Sequence, residues 1–112
     1  MKIKILYQIN KVIYVASNIC YEIQKIRKIG RTINIDTRIN GYNTGLLQKD
    51  KFSYVYTFQT DYPIELEQLI FKTLEKYKVE NEMYKLELSK IKTIIELLNQ
   101  NIINEKYISQ IL

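Results

Sequence analysis

Apolar positions concentrate in two stretches of the chain bounded by polar residues, "KVIYVAS" at 11–17 and "FSYVYTF" at 52–58. Their β-branched and aromatic residues suit a pleated surface, so both stretches predict strands. Residues 2–8 alternate loosely, and the chain is expected to open as a strand or hairpin with a turn near Asn10. "IRKIG" predicts a short strand ending at Gly30, whereas 18–25 shows no dominant period. The period then lengthens. Ile35, Ile39 and Tyr42 stand four and three apart, which predicts a helix capped by Thr32 or Asn34. Gly41 falls near the end of that helix, with Asn43 and Gly45 suited to a left-handed turn beyond it. Pro63 is placed for a first helical turn, and Leu66, Ile70, Leu74 and Tyr77 form the apolar stripe of a helix over 64–77. A short element at "EMYKL" precedes a second long helix over about 87–98, and the tail 101–112 is expected to form a last helix.

The order strand, strand, helix, strand, helix, helix predicts an α+β fold. The expected sheet is small, mostly antiparallel and three-stranded, flanked by helices, since 112 residues leave no room for several crossover units. With 46% hydrophobic residues there is enough apolar surface for one core, so 1–112 is read as a single domain. All three glycines, Gly30, Gly41 and Gly45, fall within sixteen positions. Ordering a glycine costs backbone entropy, so the cluster marks tight turns or a close backbone approach in this segment.

Charge points to the same region. The net charge is +5, yet residues 1–60 hold ten Lys or Arg against three acids, while 61–112 hold seven against nine. A basic half offers a face to a polyanion, and Lys25, Arg27, Lys28, Arg31 and Arg38 are its candidate DNA-binding residues; the same charges also suit a solvated face that binds nothing in particular. Cys20 is the single cysteine, so no internal disulfide forms and a reducing, intracellular setting is expected. With no histidine, a zinc site of the usual His and Cys kind is excluded, and any metal falls to oxygen ligands, which favour magnesium or manganese. No apolar run has the length of a membrane span, and the opening residues lack a signal-peptide pattern.

Three side chains carry candidate chemistry. Glu67 lies within about 60° of the centre of its helix's apolar stripe, so its carboxylate is paired, metal-bound or lifted to solvent at the stripe's edge. Arg38, one turn after Asn34 and one before Tyr42, borders the packed side of its helix, and its planar fork suits a phosphate. Tyr14 is one of ten tyrosines, either an ordinary sheet residue or a phenol near a site. Together they supply what phosphodiester hydrolysis needs: a carboxylate for a divalent ion, a cation for the phosphate, and a phenol that orients or deprotonates water.

The succession "VIYVA", "KIGRT", "NIDTR", "YNTG", "YVYTF" and "IELEQLI" resembles the GIY-YIG nuclease superfamily, and within it the T5orf172 branch of large DNA viruses and phages. The resemblance covers 11–86 and leaves 87–112 as a C-terminal helical extension. It implies a three-stranded sheet with a tyrosine on each of its first two strands, an arginine on the following helix, and a glutamate on the next that binds one divalent ion, Mg2+ or Mn2+, for DNA hydrolysis. Tyr14 then takes the place of the first tyrosine, Ile29 and Gly30 end the second motif, Arg38 is the helix arginine, and Glu67 in "LEQL" is the metal ligand. The first motif lacks its glycine, Lys28 stands where the second tyrosine would be, Tyr42 stands where many members have histidine, and Phe71 where this branch often has one. By this likeness the catalytic set is Tyr14, Lys28, Arg38, Tyr42 and Glu67. Lys28 would hold phosphate as a point charge or lower the pKa of Tyr14, and Tyr42 would donate to a phosphate oxygen. The stretch around Asn81 and Glu82 matches the end of the domain loosely and is not assigned to the site.

The expected function is a metal-dependent DNA endonuclease or nicking domain. The alternative is a DNA-binding or regulatory module that keeps the fold without cleavage. A third reading is an interaction protein: Leu88, Ile91, Ile95, Leu98 and Ile102 have the three-four spacing of a helix seam for a homodimer or a partner protein, and equally that of a helix covering a sheet. Without a zinc finger, helix-turn-helix pattern or basic tail, DNA binding is expected to be indifferent to sequence. The expected location is host cytoplasm or nucleus for a viral protein and bacterial cytoplasm for a phage protein.

Overall fold

A computed structural model describes residues 11–112, and the strand expected at 2–8 with its turn near Asn10 lies outside the described residues. Strand β1 (Val12–Ser17) is central and buried at all six positions, because it is flanked by two strands and covered on both faces. Strand β2 (Ile26–Thr32) pairs with it on one side and β3 (Ser53–Gln59) on the other, both antiparallel. The unassigned segment between β1 and β2 is a short helix, α1 (Ile19–Ile23), whose Asn18 cap accepts the Tyr21 N–H at 2.8 Å. Lys25 then turns the chain at φ 60°.

Helix α2 (Ile35–Asn43) is capped by Asn34, which accepts the Thr37 N–H at 3.0 Å, while the Thr32 hydroxyl closes the turn before it. Gly45, at φ 79°, supplies the left-handed turn beyond. Helix α3 (Pro63–Thr73) ends earlier than its stripe implies, and a 3-10 turn over Glu75–Tyr77 carries the stripe's last residue.

The short element expected at "EMYKL" is a strand, and a further strand before it has no counterpart among the expected elements. Strands β4 (Lys78–Glu80) and β5 (Met83–Lys85) form a hairpin on the outer side of β2, so the sheet has five strands in the order β3-β1-β2-β5-β4 rather than three. Each has three residues, too few for a period of two to show. The tail also differs from expectation. No Gly or Pro interrupts 87–112, and a single helix, α4 (Leu88–Ile111), takes in both the long helix and the tail.

Alternation along β1 divides the sheet's surroundings. Ile13 and Val15, with Ile29 of β2, face Leu66, Ile70 and Leu74 of the α3 region and Ile91, Ile95 and Ile102 of α4. Burying one such side chain contributes roughly 1.5–3 kcal/mol. The Leu88, Ile91, Ile95, Leu98, Ile102 stripe is thus occupied by the chain's own core.

Tyr14 faces the opposite side, toward α2. It stands directly across from Gly30, where a Cβ would lie 2.6 Å from the Tyr14 hydroxyl and 2.8 Å from its Cζ. The missing side chain lets the tyrosine ring lie across the neighbouring strand. Gly30→Ala is expected to destabilise the fold by about 2 kcal/mol through overpacking, and Tyr14→Ala in that background to cost less than the sum of the single changes. Urea unfolding measures both; an unchanged midpoint for Gly30→Ala would remove the steric account.

Candidate active site

The Tyr14 ring carries its hydroxyl to α2. There it meets the Tyr42 hydroxyl at 3.3 Å and accepts a hydrogen bond from Arg38 Nε at 3.4 Å. Lys28, two residues before Gly30 and on the same face of β2, places Nζ 4.6 Å from the Tyr42 ring centroid, and the Arg38 guanidinium carbon lies 4.7 Å from it. Both are cation–π distances. The Tyr54 hydroxyl donates to the Ile35 carbonyl, and the Asn43 side chain bonds both the N–H and the carbonyl of Phe52, at 2.7 and 2.9 Å. Four of the five expected catalytic residues, Tyr14, Lys28, Arg38 and Tyr42, therefore meet in one cluster.

Glu67 approaches from the other face of the sheet. Its Oε1 accepts from Arg31 Nε at 3.2 Å, Arg31 being the last inward-facing position of β2. Along β2, strand β5 covers only Ile26, Arg27 and Lys28, and the Ile29 N–H is taken by the Glu82 carbonyl at 3.0 Å. Beyond that point the outer edge of β2 opens into a cleft of about 400 Å3 lined by Arg31, Thr32, Ile33, Arg38, Glu67 and Glu82. A second cleft, of about 520 Å3, runs along α2 past Asn34, Thr37, Gly41 and Tyr42 and shares Thr32, Ile33 and Arg38 with the first. Arg38 thus sits where the two meet. Gly41 has open space around the position of a Cβ, so its place here is at the cleft surface rather than in a tight contact.

Glu82, which the sequence leaves unassigned to the site, lies at this cleft. Asn81, at φ 48°, makes the tight β4–β5 turn, and Glu82 beside it reaches Lys28 Nζ at 3.2 Å. Asn81 is a residue type that tolerates the left-handed conformation, which marks the turn but not the strands beside it.

Two expected DNA-binding residues lie elsewhere. Arg27 is 6% exposed; its Nε and Nη2 form a fork on Glu22 at 3.0 and 2.7 Å, and Nη1 donates to the Leu86 carbonyl at 2.7 Å. It fastens α1 and the segment after β5 to β2 and has no free face for phosphate. Lys25 pairs with Glu87 at the far end of β2, roughly 20 Å of strand from Arg31 at about 3.3 Å per residue. Phe71, in place of the histidine frequent in the branch, stacks on Tyr84 at 5.9 Å and belongs to the packing.

Burial, reinforced by the Tyr42 hydrogen bond, holds the Tyr14 phenol well above the ordinary tyrosine range despite the opposing effect of Arg38. A phenol so placed keeps its proton. Burial also raises Glu67, with Glu82 adding to the rise and Arg31 opposing it. Glu67 and Glu82 are the cleft's carboxylates; among the described residues no group of three or more His, Cys, Asp or Glu gathers at one point. One or two carboxylates facing an open cleft fit a hard ion such as Mg2+, which keeps several waters and takes further ligands from substrate phosphate.

The fold and site define a small α+β module with a basic and carboxylate-bearing cleft at a strand edge. The T5orf172 domain matches residues 11–99, and the chain belongs to this nuclease-associated family. It is also similar to the uncharacterized protein 460R of Invertebrate iridescent virus 6, with 34% identity over 91 residues, 80% of this chain and 41% of that protein. The chain therefore spans about two fifths of the length of this curated relative. No solved structure matches it. Among the described residues no helix is long and apolar enough to cross a membrane.

Two outcomes follow from the geometry. Arg27→Ala should cost about 2 kcal/mol, the scale of hydrogen bonds to a charged group, read as a lowered urea midpoint; an unchanged midpoint would contradict its fastening role. Because the Glu67 pKa is raised above 4.5 on folding, the native protein holds this proton more tightly than the unfolded chain, and stability is lost as pH rises through that window. Glu67→Gln should accordingly gain on the wild type between pH of about 4.5 and neutrality. Paired urea titrations at the two ends check this, and a wild-type gain with rising pH would reverse the sign.

Proposed function

We propose that this chain is a metal-dependent DNA endonuclease or nicking domain. In this reading β1, β2, β3, α2 and α3 correspond to the GIY-YIG core, with the β4–β5 hairpin added on the β2 edge. The observation that supports it is the convergence of Arg38, Glu67 and Glu82 on one cleft, with Tyr14, Tyr42 and Lys28 packed behind Arg38.

Mg2+ or Mn2+ would be held by Glu67, with Glu82 beside it; when bound, the ion polarises the scissile phosphate and stabilises the leaving oxygen. Arg38 supplies fixed positive charge where negative charge grows on the phosphoryl group. Tyr14 is a positioning residue. Its hydroxyl is buried and protonated, and it holds the Arg38 guanidinium and the Tyr42 hydroxyl in register. Tyr42, half-buried at the cleft, is the phenol able to meet a water or phosphate oxygen. Lys28 adds positive charge against the Tyr42 ring and fixes Glu82.

A second reading, a DNA-binding module without cleavage, draws support from the ion pairs that engage Glu67 and Glu82. Cleavage of supercoiled, linear and branched DNA with Mg2+, Mn2+ or EDTA separates the two. Glu67→Gln should lose cleavage while keeping the fold and much of its DNA affinity, and Arg38→Ala should slow cleavage about 10²–10³-fold, the scale of removing one transition-state donor. EDTA should likewise abolish cleavage by the wild type. Folded wild-type protein that binds DNA yet leaves all three substrates intact with either metal would favour the non-catalytic module, and full activity in Glu67→Gln would dismiss Glu67 as the metal ligand.

A further inference from the structure

The two β2 arginines that face inward are held in opposite ways. Arg27 is buried and engages its partners through three nitrogens, an arrangement that does not open without loss of the fold. The Arg31 side chain makes one hydrogen bond among the described residues, through Nε to Glu67 at 3.2 Å, and is 41% exposed at the cleft. That bond occupies one of five guanidinium donors. An ion pair with a partly exposed arginine is weak and readily exchanged.

We propose that Arg31 is a phosphate-binding residue held in reserve by Glu67. It passes to a DNA phosphate when a divalent ion takes up the Glu67 charge, so that ion and DNA bind this cleft cooperatively. The inference rests on the reading of Glu67 as the metal ligand. Its physical basis is a change of partners. Without the ion, the carboxylate and the guanidinium satisfy each other, and the local charge is nearly balanced, with Lys28 tied to Glu82 at 3.2 Å. A bound dication turns the same group strongly positive and leaves Arg31 without its anion, beside Arg38 on the same cleft. A phosphate diester then becomes the partner that suits the planar guanidinium.

The test measures binding to a fluorescent phosphorothioate duplex, which keeps its charge and resists hydrolysis, at constant ionic strength with Mn2+ or EDTA. Mn2+ binding to the protein alone is measured in parallel by calorimetry. Divalent counterions ordinarily weaken electrostatic DNA binding. Wild-type affinity is nonetheless expected to rise about fivefold with Mn2+, a typical coupling between two sites. Arg31→Ala, or Arg31→Gln should the alanine variant fold poorly, should lose that rise and bind Mn2+ itself more tightly. Glu67→Gln in EDTA should bind the duplex more tightly than Glu65→Gln, which removes the same charge from α3 outside the cleft, where Glu65 pairs with Lys106 at 3.1 Å. Wild-type protein that binds Mn2+ with flat DNA affinity, together with equal binding by the two glutamine variants, overturns the inference and leaves the metal reading standing. No Mn2+ binding in calorimetry overturns the metal reading and the inference with it.

Discussion

The contact of the Tyr14 ring with the backbone of Gly30 sets the position of the residues on the α2 side of the cleft. The ring occupies the space a side chain at 30 would take, and this brings its hydroxyl out to α2, where Arg38 and Tyr42 both meet it. No residue of α2 is fully buried, so apolar packing alone does not fix that helix. Its position depends on a few directed contacts: the Tyr14 hydroxyl, the Tyr54 hydroxyl on the Ile35 carbonyl, and the Asn43 clasp on Phe52. Directed hydrogen bonds define orientation more sharply than a greasy contact does. Arg38 is thus aimed by a central strand that is itself immobilised by neighbours on both sides.

The same sheet explains why a run of positive charge in the sequence is not one surface. Lys25, Arg27, Lys28 and Arg31 look continuous when only charge is counted. On a strand, alternate positions go to opposite faces, so Arg27 and Arg31 share the inward face with Ile29 while Lys28 shares the other with Gly30. Parity was available from the strand assignment, and it separates Arg27 from Lys28. The difference between Arg27 and Arg31 was not available, because it depends on what each meets: Glu22 and the Leu86 carbonyl in one case, an open cleft edge in the other.

Most of the framework was legible for the same reason. β1 and β3 are dense in β-branched and aromatic residues, the α3 stripe repeats its period several times, and Asn34 and Gly45 are residues whose side chain or backbone freedom fits the cap and turn they form. β4 and α1 were not legible, and β5 only as a short element of no stated type, since three to five residues carry no period and their stability comes from partners distant in sequence. Glu82 went unassigned with them. Its nearness to Lys28 and Glu67 exists only because the hairpin pairs with the first half of β2 and stops. A site completed by such a hairpin is recoverable from tertiary pairing and not from local pattern.

Glu65 and Glu67 illustrate how the core governs the chemistry available at the cleft. Leu66 and Ile70 are fully buried and fix the rotation of α3 about its axis. Two residues of helix correspond to about 200° of rotation, so the glutamates on either side of Leu66 cannot share an environment. Glu65 turns to the exposed Lys106 of α4, whereas Glu67 is held against the end of β2, where burial and Glu82 both disfavour its charge. The helix cannot rotate to relieve Glu67 without withdrawing Leu66 and Ile70 from the core, at several kcal/mol together. The carboxylate therefore depends on nearby positive charge: Arg31 in the resting arrangement, and in the proposed working one a divalent ion that leaves Arg31 for the phosphate.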